Sequence, residues 1–308
     1  MWRRIAMLTV LIIVALIPLA GCQRQPPARI LMECEHDGNS DIFVMQTDGS
    51  GLVNLTDHPA WDGTPAWSPD GTRIAFTSDR DGDNPQIYAM NADGSDVVRL
   101  TVSDGIDMMP AWSPDGQKIA FVSTRPYTLT VEGGQLIVDA GPEIWVMDAD
   151  GGNPTRITGG QEDLALYPTW SPDSRRLVYM NLSDRIDLIV HVLDEEFGQS
   201  LTTDATFDSW SPAWSPDGRR LAFMAEQEDG NKDIYVMDSD GSNRKNLTNS
   251  PTAEADPAWS PDGQKILFIS DRDGHAQVYM MDADGSNVTR ITDDEYEYAR
   301  PVWSPAVR

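Results

Sequence analysis

Cysteine is scarce: the 308 residues contain two, so a disulfide-stapled scaffold is excluded. Basic residues are scarce as well. Lys and Arg number 23 against 49 Asp and Glu, for a net charge of −26. Phosphate recognition needs clustered cations, and no Lys/Arg-rich segment occurs, so nucleic acid is excluded as a partner. Long apolar runs reduce to one, Ile5 to Ala20, which is short for a membrane span and is broken by Pro18. Histidines number four, and no Gly-x-Ser-x-Gly elbow occurs. Few residues are therefore left for acid–base or nucleophilic catalysis.

The apolar run follows Arg3 and Arg4, the layout of a secretory signal. It ends in Leu19-Ala20-Gly21-Cys22, which resembles the lipobox of bacterial lipoproteins. That resemblance implies cleavage before Cys22, lipidation of its thiol, and a membrane anchor. Residues 1–21 are then signal peptide, 22–28 a lipidated Cys and short linker, and 29–308 the folded body. Gln23 follows the Cys where inner-membrane retention would use Asp. By resemblance to Gram-negative sorting this implies the outer membrane, facing the periplasm; in another envelope it implies the outer face of the cytoplasmic membrane. Cys34 would remain as the only other thiol, so the fold must hold by burial alone.

An internal repeat decides the fold. Trp-Ser-Pro occurs at Trp67, Trp112, Trp170, Trp214, Trp259 and Trp303, with spacings of 45, 58, 44, 45 and 44 residues. A period near 44, built of short apolar runs and turn signals, is the size of one four-stranded propeller blade. Pro-Ala-Trp reads as the innermost strand a, and Ser-Pro-Asp-Gly as a turn in which Pro presets φ and Gly accepts a left-handed exit. Strand b follows, as in Ile74-Ala75-Phe76. Strand c comes next, as in Ile234-Tyr235-Val236-Met237. An Asp-Gly turn then leads to the outer strand d, as in Asn246-Leu247-Thr248. The long spacing places an inserted hairpin at Tyr127–Gly141, in the b–c loop of the second blade. The third blade is irregular, with Ser174 for the turn Gly and Glu195-Glu196-Phe197 for Asp-Gly.

The Pro-Ala-Trp-Ser-Pro-Asp-Gly run, with Met-Asp-Ala-Asp-Gly-Ser at 281–286, resembles the WD40-like repeat of the TolB-like propeller family over residues 29 to 305. The resemblance implies an all-β, six-bladed β-propeller. TolB carries an N-terminal α/β domain and no lipid; here Gln23 to Ala28 precede the first strand, so the Tol–Pal role does not carry over with the fold. Strand b (Arg29–Cys34), strand c (Asp41–Gln46) and strand d (Leu52–Thr56) lack a preceding Trp-Ser-Pro. Arg300–Pro305 supplies it from the far end, so the sixth blade is closed by both ends of the repeat array, which removes exposed sheet edges.

One Trp per blade at one strand position predicts packing between blades, each indole N–H needing one partner. Trp61 and Trp210 fall outside that position and are candidates for a contact surface. With Asp62, Asp107 and Glu254 they form the expected binding face, at the end of the propeller carrying the d–a and b–c loops, where acidic residues far outnumber basic ones. Asp79-Arg80-Asp81-Gly82-Asp83 has the start of a calcium loop but lacks its later Gly and Glu, so calcium is a weak expectation and no other cofactor is indicated. His191 is read as standing where other c strands carry an aromatic ring. His36, His58 and His275 share one face without converging. The expected function is a monomeric, membrane-anchored envelope scaffold that binds a protein or a glycan. The alternative is a glycan-directed lyase or hydrolase at the channel mouth.

Overall fold

The computed structural model describes residues 28–306 apart from 83, 132–133, 139–140, 160–163, 183–184, 196 and 203–205, and for 127–138 only the strand pairing. Residues 1–27, where the signal peptide, Cys22 and linker were expected, lie outside the described residues.

Six four-stranded antiparallel sheets form a ring. In blade 1 the strands, from the axis outward, are Asp62–Trp67, Arg73–Ser78, Gln86–Asn91 and Val98–Arg99. Blades 2 to 5 repeat this order. Blade 6 takes its inner strand, Glu297–Trp303, from the end of the array and pairs it with Arg29–His36, followed by Asn39–Gln46 and Val53–Asn54. Arg29 N–H donates to Ser304 Oγ at 2.9 Å, and Ser304 N–H to the Arg29 carbonyl at 2.8 Å, sealing that blade. Tyr127–Val131 pairs with Gly134–Val138 as the expected hairpin in the b–c connection of blade 2.

The d strands are only two residues long, shorter than their apolar pattern suggests. The reason is chemical and recurs in every blade. After Leu or Ile the chain reaches a Thr whose hydroxyl, not its backbone, accepts the strand c amide. Ile42 N–H meets Thr56, Ile87 meets Thr101, Ile144 meets Thr158, Leu188 meets Thr202, Ile234 meets Thr248 and Val278 meets Thr292, at 2.9–3.1 Å. The edge is satisfied without a longer strand.

Apolar residues of b and c fill the space between blades, with Phe76, Phe121, Phe223 and Phe268 fully buried. The six repeat Trp pack there as expected, but only two indoles find a hydrogen-bond partner. Trp170 donates to the Ala111 carbonyl and Trp303 to that of Ala258. The indole N–H groups of Trp67, Trp112, Trp214 and Trp259 are buried without one. Those four instead lie under a guanidinium from the neighbouring blade, Arg29, Arg73, Arg176 or Arg220, 4.6–5.9 Å from the ring centre. The split follows the residue that opens strand b. Where it is Lys118 or Lys265, the ammonium pairs with Asp148 or Asp282 and the indole keeps its hydrogen bond.

Blade 3 absorbs its irregularity locally. Ser174 adopts the left-handed conformation that Gly occupies elsewhere (φ 59°), and its hydroxyl accepts the Asp115 amide at 3.1 Å. His191 corrects the sequence reading: it lies two residues beyond the aromatic position, which Ile189 fills, and replaces the Met found at Met45, Met90, Met147, Met237 and Met281. It is buried, and burial lowers its pKa, so the ring packs as a neutral group.

Candidate functional site

Each inner strand carries one extra residue. In blade 1 the ladder passes from Gly63–Thr77 directly to Ala66–Ala75, and the other five blades skip in the same way. The skipped pair is always X-Pro: Thr64-Pro65, Met109-Pro110, Tyr167-Pro168, Ser211-Pro212, Asp256-Pro257 and Arg300-Pro301. The Pro disfavours right-handed helical geometry in the residue before it. All six X residues adopt the left-handed region, with φ between 45° and 56°. For non-glycine residues that costs roughly 1–2 kcal/mol each. Bulges of this kind re-aim side chains, and here all six X residues line one axial cavity of about 230 Å³.

The ring is chemically mixed and cross-linked. Ser211 Oγ donates to Asp256 Oδ1 at 3.0 Å, and Arg300 N–H donates to Asp256 Oδ2 at 3.1 Å. Arg300 Nη1 donates to Glu33 Oε2 at 2.9 Å, and Nη2 to the Tyr167 hydroxyl at 3.3 Å. Blades 3 and 6 face each other across the axis, so the Arg300–Tyr167 contact spans the channel. Burial works against the Arg300 charge, but Glu33, Tyr167 and Asp256 more than offset it and raise its pKa. Arg300 Nε is buried with no hydrogen-bond partner, a donor left over inside the channel. Glu33 also accepts the Thr64 amide, at 3.1 Å, and the Ser40 hydroxyl, so it fixes the ring from behind.

The acidic residues expected on the binding face are placed differently. Asp62, Asp107 and Glu254 are fully buried. Asp62 accepts both its bonds from Arg80 Nη2, at 2.9 and 2.8 Å. Asp107 pairs with Arg125 at 2.7 Å, and Glu254 with Arg272 at 2.8 Å. Ser78, Ser123 and Ser270 each accept from the arginine of their blade. Each guanidinium also lies over aromatic rings of its blade, as Arg125 does over Phe121 and Trp145. These carboxylates are internal counter-ions of a repeated clasp and present no free charge to a partner. Chain order alone had assigned them to the surface, because a strand's first residue and the preceding loop look alike in sequence. Trp210 is likewise corrected: it lies within strand Asp208–Trp214, packed between blades, with its indole N–H buried. Trp61 lines an open pocket, beside Glu33, Glu35 and Glu297.

In the calcium-like turn, Asp79 accepts the Trp61 amide and Asp81 the Tyr88 hydroxyl, while Asp83 lies outside the described residues. Burial and Asp81 push the Tyr88 hydroxyl up to about 12. His58 Nδ1 accepts the Ala60 amide, His275 contacts Glu297, and His36 packs edgewise on Phe43 and Tyr296. Among the described residues no three His, Cys, Asp or Glu side chains form a group that could hold a metal ion.

The fold and its axial site define a closed six-bladed propeller with a mixed, cross-linked channel. The sequence model of the TolB beta propeller domain matches residues 25–140 and 129–308. The chain belongs to the TolB β-propeller family. A Tol-Pal system protein TolB from Sphingopyxis alaskensis is 40% identical over 62 residues, which cover 18% of this chain and 13% of that relative's length. The propeller superposes on TolB from Acinetobacter baumannii with a TM-score of 0.73 at 20% identity, over 90% of this chain and 67% of that one. For a putative TolB from Agrobacterium tumefaciens the TM-score is 0.67 at 24% identity, over 87% and 90% of the two chains. At these identities the superpositions speak to fold alone.

The channel ring was missed from sequence, although a signal existed. Within Pro-(Ala/Thr/Val)-Trp-Ser-Pro the surrounding residues repeat, while the residue just before the first Pro differs in all six copies.

Proposed function

We propose that this chain is an envelope lipoprotein, held through Cys22, whose propeller binds a protein partner at the channel. The observation that carries the reading is the ring itself. Six blades repeat the threonine-capped edge and the X-Pro bulge, yet each presents a different side chain to the axis from the same strained backbone position. Strain retained in non-glycine residues at one point of every blade fits a preorganised binding surface. The relative named for the Tol–Pal system supports an envelope setting and a protein ligand.

The reading is tested with a benzophenone amino acid placed at Ser211 in the channel or at Val98 on an outer strand, in cells making the full chain. The expected result is an adduct with an envelope protein from position 211 and none from 98. Adducts from neither position, or from 98 alone, would overturn it. Fatty-acid labelling should disappear in Cys22→Ala, and label that persists there would remove the anchor from the proposal.

A further inference from the structure

The channel ring divides by chemistry. Blades 1 to 3 contribute Thr64, Met109 and Tyr167, and blades 4 to 6 contribute Ser211, Asp256 and Arg300. Asp256 and Arg300 sit on adjacent blades in the same left-handed conformation, φ 50° in each. The Arg300 N–H ties them together by donating to Asp256 Oδ2 at 3.1 Å. A hydrogen-bond donor and an acceptor therefore line one cavity side by side, on backbone that the X-Pro bulges hold in place.

The donor is Arg300 Nε. Arginines that fasten the blades use this atom. Arg80, Arg125 and Arg272 donate from Nε to Ser78, Ser123 and Ser270 at 2.9–3.0 Å. Arg99 and Arg290 donate from it to the Thr101 and Thr292 carbonyls at 2.7 Å. Arg300 gives Nη1 to Glu33 and Nη2 to Tyr167, and its buried Nε meets no protein acceptor. The Tyr167 contact, at 3.3 Å, is longer than the usual range and is the easier of the two to exchange. The acceptor is Asp256. Its oxygens take one hydrogen bond each, and among the described residues it forms no ion pair. A carboxylate has about four acceptor sites, so both oxygens keep capacity.

Charge narrows the ligand. Glu33 already neutralises Arg300 at 2.9 Å, so an added carboxylate would meet two like charges and one guanidinium that is already paired. An ammonium would satisfy Asp256 but leave the Nε–H without an acceptor, and would set a second cation beside Arg300. A primary carboxamide supplies both halves without charge, an oxygen that accepts and an NH₂ that donates. The cavity, about 230 Å³, falls below the roughly 300–1,000 Å³ of sites that enclose a drug-sized molecule, and suits one side chain.

We propose that the channel receives the carboxamide of an asparagine or glutamine side chain of the protein partner, its oxygen accepting from Arg300 Nε and its NH₂ donating to Asp256. Met109 and Tyr167 on the facing wall cover the methylene stem, and Glu33 is a positioning residue for Arg300. This rests on the protein-binding reading above and adds the group that the partner presents.

The test titrates the full chain, labelled with ¹⁵N-arginine, with propionamide, propionate and propylammonium, three probes of like size. The Arg300 Nε–H resonance, assigned as the one lost in Arg300→Lys, should move saturably with propionamide and stay in place with the other two. Affinity for propionamide, followed by the ¹³C-methyl resonance of Met109, should fall about threefold to tenfold in Arg300→Lys, which keeps the charge for Glu33 but has no Nε–H. The same fall is expected in Asp256→Asn, where propionate should bind no more weakly than propionamide. No response to propionamide, an equal response to propionate or propylammonium in the unaltered chain, or unchanged affinity in both variants would each overturn the proposal. The titration needs no native partner. Its failure beside a persisting adduct at position 211 would reject the carboxamide and leave channel binding standing, whereas a propionamide response without that adduct would reject the protein partner.

Discussion

Blades 1, 2 and 5 secure the same end of the sheet differently from blades 4 and 6. In the first group the buried acid opens strand a, as Asp62, Asp107 or Glu254, and an arginine two residues beyond strand b holds it. In the second the acid lies near the start of strand c, as Asp41 or Asp233. Asp233 collects the Thr248 hydroxyl, the Asn246 and Asn231 amides and the Ser250 N–H, and Asp41 collects the corresponding groups from Thr56, Asn54, Asn39 and His58. One scheme buries a charge with its counter-ion, and the other buries a charge with neutral donors. Part of the chain's acidity is therefore internal wiring, and counting acids by loop overstates the charge that a partner meets.

The largest expected effect comes from breaking the ion-pair scheme on one side. Arg125→Ala should cost about 3–5 kcal/mol, because it leaves Asp107 buried and uncompensated. Asp233→Asn in blade 4 should cost less, near 1–3 kcal/mol, since its donors are neutral and an amide oxygen can still accept from some of them. Urea unfolding of both variants checks the ranking. Equal losses would mean that the two clasps are energetically alike. The edge threonines come next: Thr248→Val strips the Ile234 amide of its acceptor and should cost about 1–3 kcal/mol in the same assay.

Acid should separate the groups by sign. Asp70, Asp173, Asp217 and Asp262 have pKa values lowered chiefly by a serine hydroxyl within the a–b turn. Their contribution is present above the unfolded value of 3.8 and lost as pH falls below it, where the unfolded chain binds more protons. Glu254 works in the opposite sense. Burial raises its pKa above 4.5, so its contribution is complete at lower pH and declines as pH rises through the folded value. Melting temperatures between pH 3 and 7 should therefore fall toward acid, and Glu254→Gln should flatten the upper part of that curve. A curve that Glu254→Gln leaves unchanged would remove blade 5 from the account.

The ring of blades was legible because its determinants are local and repeated: the Ser-Pro-Asp-Gly turns, the Asp-Gly returns and the Trp spacing each encode geometry within a few residues. The clasps were not, because Arg80 and Asp62 meet across two strands and nothing in either residue's neighbourhood announces the other. Asp62 looked like a loop acid for that reason. His191 was misplaced because blade 3 departs from the repeat at Ile189, and a two-residue shift keeps a side chain on the same face of a strand. The channel residues escaped notice because they vary, and a search for repeats passes over the position that does not repeat.

The smallest effect expected compares the irregular blade with the regular ones. Ser174 holds the left-handed geometry that Gly71, Gly116, Gly218 and Gly263 hold in other blades. Glycine carries no steric penalty there, which favours Ser174→Gly by up to about 1 kcal/mol. Against this stands the Ser174 hydroxyl that accepts the Asp115 amide, an exposed bond that water can replace. The lost bond should therefore recover only part of the difference, and the net change should be a stabilisation of a few tenths of a kcal/mol, read as a slightly higher urea midpoint at unchanged slope. A lower midpoint would mean that the bond between blades 2 and 3 outweighs the backbone strain, and that blade 3's departure from the repeat is itself stabilising.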